Sequence, residues 1–210
     1  MVGNSLGTKL VEGGHSVFLG SRSAASEAGQ AWLRSVEGRG QIGTFAEAAA
    51  FGEVVTDATN GANTLTALRL AGAENLRGKI LIQAANPLDV SKGFPPTMTV
   101  CDTDSLAEQT QREFPEARVV KALNTINCAV MVNPGLLAED HDLIICGNEA
   151  AAKAEVTKWL GEWFGWKAER VIDLGDIAQA RGTEMYLALW TRLWGALGTP
   201  HFNLRIVRAA

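Results

Sequence analysis

No apolar run in this sequence approaches the roughly 18 residues that a membrane-spanning helix requires. No block of Lys or Arg exceeds two residues, and the net charge is −4. Nucleic acids and anionic membrane surfaces are held by clustered positive charge, so neither partner is expected. Cysteine is scarce: Cys101, Cys128 and Cys146 are widely spaced and never form a C-x-x-C pair. That points to a reducing compartment, with each thiol expected to be a small buried apolar group. His15, His141 and His201 show no metal-ligand spacing, so no metal is expected. The first 20 residues lack a charged region followed by an apolar stretch and cleavage site, so no secretion signal is expected. The cytoplasm is the expected location.

What is present is the balance of an ordinary folded protein, 47% hydrophobic and 20% charged over 210 residues. Short β-branched runs alternate with longer helical patterns, the signature of βαβ units and a doubly wound, mainly parallel sheet. Helices are expected over residues 2–12, 23–36, 46–51, 61–70, 105–114, 150–164 and 183–197. Strands are expected over 15–19, 53–58, 79–84, 118–123, 143–146 and 170–174. Residues 88–97, with Gly93, Pro95 and Pro96, form the one long irregular stretch. Loops of that length in compact domains tend to carry function.

Three constellations carry chemistry. Met1-Val2-Gly3 opens directly into a helix, and Gly3 can serve as the third glycine of a G-x-G-x-x-G phosphate loop. The first strand and the first two glycines would then lie upstream. Met1 is accordingly expected to be an internal methionine of a longer reading frame, or the chain a fragment. About 18 residues on, Gly20-Ser21-Arg22-Ser23 ends the second strand of the pattern. NAD-binding folds place an acid there, for the ribose hydroxyls. Hydroxyls and a guanidinium suit the 2′-phosphate of NADP instead. The same lack of an acid argues against an S-adenosylmethionine methyltransferase. Finally, Thr59-Asn60-Gly61, Asn86-Pro87 and Asn124-Thr125 stand at strand ends. Ligands of open α/β sheets bind there, and these groups could line the nicotinamide side of a crevice. The competing reading is that they only terminate strands.

These residues divide the chain into a Rossmann-type NADP-binding domain, 1–127, and a small C-terminal α/β lobe, 128–210, ending in an apolar helix. The candidate cofactor-binding set is Met1, Val2, Gly3, Ser21, Arg22, Ser23, Thr59, Asn60, Asn86, Pro87, Asn124 and Thr125. No catalytic residue is named.

The chain resembles the NADPH-dependent reductases of the deazaflavin coenzyme F-420. The resemblance is carried by Met1-Val2-Gly3 through Gly13-Gly14-His15, Gly20-Ser21-Arg22, Asn86-Pro87-Leu88-Asp89 and Lys121-Ala122-Leu123-Asn124-Thr125. It covers essentially the whole chain. Asn86 to Pro96 and Arg181-Gly182-Thr183-Glu184-Met185 are more similar to a bacterial subgroup of NADP oxidoreductases. The resemblance implies hydride transfer between NADP(H) and a deazaflavin, a flavin or another small acceptor. It also implies that Ser21 and Arg22 hold the 2′-phosphate, and that backbone from Asn124 to Asn127 approaches the nicotinamide. Members that use no deazaflavin leave the acceptor open.

Two other functions compete. One is a dehydrogenase or reductase of a small hydroxy or imino acid, with Lys121 as proton donor and Asn124 as orienter. There the plainer reading of Lys121 is a solvated edge lysine. The other is a non-catalytic NADP(H)-binding sensor. Met185, Leu189, Trp190, Leu193, Trp194 and Leu197 recur at helical spacing as an apolar stripe. It is expected to be largely buried, in the chain's own core or in a homodimer interface.

Overall fold

The computed structural model describes residues 1–209. Nine strands occur among them: β1 (Phe18–Ser21), β2 (Gln41–Thr44), β3 (Val54–Asp57), β4 (Ile80–Gln83), β5 (Leu88–Asp89), β6 (Thr97–Met98), β7 (Arg118–Lys121), β8 (Leu143–Gly147) and β9 (Val171–Asp173). The helices are α1 (Val2–Glu12), α2 (Glu27–Ser35), α3 (Phe45–Phe51), α4 (Thr64–Ala71), α5 (Ala73–Leu76), α6 (Leu106–Glu113), α7 (Cys128–Met131), α8 (Ala150–Phe164) and α9 (Ala180–Leu197). Among the described residues, no helix is long and apolar enough to cross a membrane.

The main sheet has the order β3-β4-β7-β8-β9. β3, β4 and β7 run parallel, and β8 is antiparallel to β7. A parallel pair, β1-β2, stands apart from this sheet. Gly3 lies against Ala58, just past the carboxyl end of β3, so α1 starts at that end and runs back along the sheet. β1 then leaves in the same direction as β3.

The two-residue period of the strands sorts side chains onto two helix layers. Ile80, Ile82 and Val120 join Leu6 of α1 and Val156, Leu160 and Phe164 of α8 in one core. Leu81 and Val119 face the other way, onto Ala49, Leu68, Leu76, Ala107 and Phe114. Covered on both sides, β4 is buried throughout. This is an α/β fold of the Rossmann type. Residues on both sides of position 127 share the first core, and β8 and β9 extend the same sheet.

α1 and α8 have the expected bounds, 2–12 and 150–164. Gly165, at φ +87°, ends α8 in the left-handed conformation that glycine adopts without a Cβ penalty. α2 begins at Glu27 rather than residue 23, because the Ser26 side chain accepts from the Gly29 N–H and caps it there. The 88–97 stretch is bracketed by a two-residue antiparallel pair, β5 with β6. β2 was not expected; it lies in the break after α2.

Candidate functional site

β1 and β3 run side by side with α1 over one face and α3 and α4 over the other. Between them lies a cavity of about 450 Å³. Ser21, Arg22, Thr59 and the first turn of α1 stand at its carboxyl end, and Leu6, Leu10, Leu19 and Val55 lie deeper.

At the mouth, Ser21 and Ser23 form a hydroxyl turn: the Ser23 N–H donates to Ser21 Oγ, and Ser21 Oγ donates to the Ser23 carbonyl. This turn presents Arg22, which is exposed and lines the cavity. Among the described residues it makes none of the ion pairs that occupy Arg69, Arg112 and Arg181. Ser23 is exposed and is not part of the cavity wall. α1 offers its N-terminus with no side-chain cap and no acid in its first turn. Its free N–H groups and positive dipole end therefore face the mouth, the usual arrangement for holding an anion. Met1 is exposed, and its carbonyl accepts from the Ser5 N–H; Val2 packs into the core.

Within α1, glycine permits a closer approach at Gly7 than at Gly3. A Cβ on Gly3 would meet Ala58 at an ordinary 3.7 Å, whereas one on Gly7 would press Leu19 and Trp32 at 3.2 Å. Sequence reasoning missed Gly7 because it lies inside a helix, where glycine spacing carries no turn signal.

The polar strand ends do come together. Gly61 sits so close to Asn86 that a Cβ would fall 1.9 Å from the Asn86 carbonyl oxygen. Asn86 Nδ2 donates to the Asn124 carbonyl at 2.8 Å, and Asn124 Nδ2 donates back to Asn86 Oδ1 at 3.0 Å. Asn124 Nδ2 also donates to the Thr183 carbonyl, tying this amide pair to α9. The pair thus spends most of its polar capacity on itself, leaving buried Asn124 Oδ1 without a partner among the described residues. Leu123, one residue earlier, has φ +65°, a costly conformation for a branched side chain. Thr125 is buried beside it, and the buried Pro87 has its carbonyl occupied by the Thr99 N–H. The Asn60 side chain accepts from the Ala62 N–H and is local. Thr59 Oγ1 donates to Asp57 Oδ1 at 2.7 Å, and Thr64 Oγ1 to Asp57 Oδ2 at 3.0 Å. Asp57, buried at the carboxyl end of β3, was not among the expected site residues.

Lys121 is wholly buried, not a solvated edge lysine. Its ammonium donates to Glu184 Oε1 at 2.6 Å, the Ala85 carbonyl at 2.6 Å and Gln83 Oε1 at 3.3 Å. All three donors are engaged, so none is left for a substrate. Glu184 also accepts from the Leu106 and Ala107 N–H groups, capping α6. Cys146 is buried, as expected, and burial pushes its thiol up to about 12, an inert group. Cys101 is exposed instead, in the loop before α6, and Cys128 is half-buried at the start of α7.

A solved structure from Arthrobacter sp. FB24, which carries the provisional name F420-dependent NADP-reductase, is 49% identical to this chain. It superposes with a TM-score of 0.91, over 99% of this chain and 95% of that one. The chain belongs to the F420-dependent NADP reductase family. A member of that family from Methanocaldococcus jannaschii is 33% identical over 112 residues, 51% of this chain and 47% of its own. Metalloreductase STEAP3 of Rattus norvegicus is 30% identical over 180 residues, 86% of this chain and 33% of its own. The matches thus span about half or less of these two curated relatives. No protein-family model matches the sequence. An imine reductase from Myxococcus stipitatus, solved with NADP+, shares the fold alone, at 16% identity and a TM-score of 0.60.

Proposed function

We propose that this reductase-family chain binds NADP(H) across the carboxyl ends of β1, β3, β4 and β7 and exchanges a hydride with a deazaflavin or related flavin-type acceptor. The observation that carries the proposal is Arg22, a guanidinium with no ion pair among the described residues, presented by the Ser21–Ser23 turn at the strand end where an acid would serve NAD. The donor set fits the cofactor: the Arg22 guanidinium, presented by the Ser21–Ser23 turn, for the 2′-phosphate, and an uncapped helix N-terminus for the pyrophosphate. Met1, Val2 and Gly3 would contribute backbone there. Asn86, Pro87, Asn124 and Thr125, with Thr59 and Asn60, would line the nicotinamide side. The Asn86–Asn124 amide pair fixes their backbone.

When bound, NADPH supplies the hydride. The chain's part is to hold the donor ring and acceptor face to face and to exclude water, which needs orientation more than a proton shuttle. The commitment of all three Lys121 donors weighs against the hydroxy- or imino-acid alternative. We assign residues 1–127 to cofactor binding and 128–210 to the acceptor side. The exposure of Met185, Leu189, Trp194 and Leu197 in the single chain, where of the stripe only Trp190 is buried, supports a homodimer through α9.

The test is NADPH oxidation by the purified chain with deazaflavin, flavin and ferric acceptors, followed by nicotinamide absorbance. Turnover with the deazaflavin or flavin, and none when an imine is added as the acceptor instead, supports the reading. Tight NADPH binding without turnover on any acceptor would make the chain a sensor.

A further inference from the structure

Three stretches far apart in the chain meet beyond the carboxyl ends of β4 and β7: the segment after β4, the turn after β7 and the start of α9. Two sets of bonds tie the same three together. In the ionic set, the Lys121 ammonium donates to the Ala85 carbonyl and to Glu184 Oε1, each at 2.6 Å. In the amide set, Asn124 Nδ2 donates to Asn86 Oδ1 at 3.0 Å and to the Thr183 carbonyl at 3.1 Å. Ala85 and Asn86 are neighbours in sequence, as are Thr183 and Glu184. Lys121 and Asn124 bracket the turn at Leu123. Whatever the ionic set fixes, the amide set therefore inherits.

The register of β4 with β7 ends at Gln83 and Lys121, so beyond it side chains, not the ladder, join the two strand ends. Glu184 is itself held by the N–H groups at the start of α6, and Arg181 on the same helix pairs with Glu108 at 2.6 Å. α9 is thus anchored where its Thr183 carbonyl meets Asn124. Apolar side chains of the same volume would stabilise a core as well as a buried ion pair does. What the ammonium adds is direction, since its three N–H groups fix three acceptors in space. Leu123, at φ +65°, keeps its strained backbone only while the residues on both sides of it are held.

We propose that Lys121 and Glu184 are positioning residues for hydride transfer: their ion pair sets where the backbone at Asn86 and Asn124 stands, and so how the nicotinamide ring meets the acceptor. Both side chains are too buried to touch either ring, at 0% and 1% exposed, so they act through the amide pair. The inference rests on the nicotinamide-side assignment above. It gives the buried lysine a task that needs no free proton, in keeping with its three engaged donors.

The double variant Lys121→Met with Glu184→Gln removes both charges together and tests the inference on the whole chain. The ligands are NADPH and adenosine 2′,5′-bisphosphate, which carries only the adenine-side half of the cofactor and would reach only the Ser21–Arg22 end. In the double variant the affinity for the bisphosphate should stay within about twofold, because that end is remote from the substitutions. The preference for NADPH over the bisphosphate should shrink at least about fivefold, and kcat for NADPH oxidation by the deazaflavin should fall at least about tenfold. The affinity ratio decides even where no acceptor turns over. Leu160→Ala opens a cavity on α8, clear of both sets of bonds, and should lower stability yet keep kcat and both affinities within about twofold. Equal loss of both ligands in the double variant, or an equal loss of kcat in Leu160→Ala, would reduce the pair to a structural role and overturn the inference. A double variant that matches the wild type in kcat and in both affinities would overturn it too. A wild-type chain that holds NADPH no better than the bisphosphate would instead sink the nicotinamide-side assignment itself, and the inference with it.

Discussion

Replacing Glu184 by Ala probes the most demanding polar arrangement in the molecule. The carboxylate is 1% exposed and the Lys121 ammonium is fully buried. Deleting the carboxylate leaves a buried cation with a carbonyl and an amide oxygen but no countercharge, and frees two N–H groups at the start of α6. Breaking one side of a buried pair costs about 3–5 kcal/mol, and each stranded donor about 1–3 kcal/mol. The two overlap, so a total of about 4–6 kcal/mol is expected, a large share of the roughly 5–15 kcal/mol that a domain has. In urea, with a slope of about 2–3 kcal/mol/M, the midpoint should fall by roughly 2 M. Lys121→Met combined with Glu184→Gln removes both charges and keeps an acceptor for α6, so it should recover a large part of the loss. A loss below about 1 kcal/mol in Glu184→Ala, or a double variant as unstable as the sum of the singles, would refute the reasoning.

Arg22→Ala should weaken NADPH binding by about 1.5–3 kcal/mol and barely change NADH binding, measured by titration calorimetry; equal losses would remove the 2′-phosphate assignment. Gly61→Ala must push the Asn86 backbone away and should cost about 2–3 kcal/mol by thermal unfolding, with weaker NADPH binding. Arg112 holds the Asp104 carboxyl down at about 2, below its ordinary 3.8, so this pair adds stability above about pH 4 that is lost as pH falls towards 2. The exposed arginine limits the effect to about 1 kcal/mol or less, and Asp104→Asn should flatten that part of the acid unfolding curve. Trp194→Glu should shift light scattering from dimer to monomer; a monomer for both proteins would exclude the α9 interface.

Sequence by itself determined the alternation of the fold and several local boundaries. α1 and α8 end where Gly13 and Gly165 stop them, α3 carries a Thr44/Glu47 capping box, and the Ser21–Ser23 turn closes through side chains two residues apart. Such signals are short-range and lie within a few residues of one another, although the Thr44/Glu47 box went unread and α3 starts at residue 45 rather than 46. Only the tertiary structure decided what depends on distant partners. β2 has one strongly apolar residue, Ile42, and is a strand because β1 pairs with it. Lys121 reads as an edge lysine until Glu184, 63 positions away, supplies its charge; Asn86 meets Asn124 across 38 positions. Most of the α9 stripe faces solvent although its period matches that of a buried helix, because periodicity specifies a face and not what covers it. The cavity between β1 and β3 likewise exists only in three dimensions, since neither strand's own residues record which of its edges is paired.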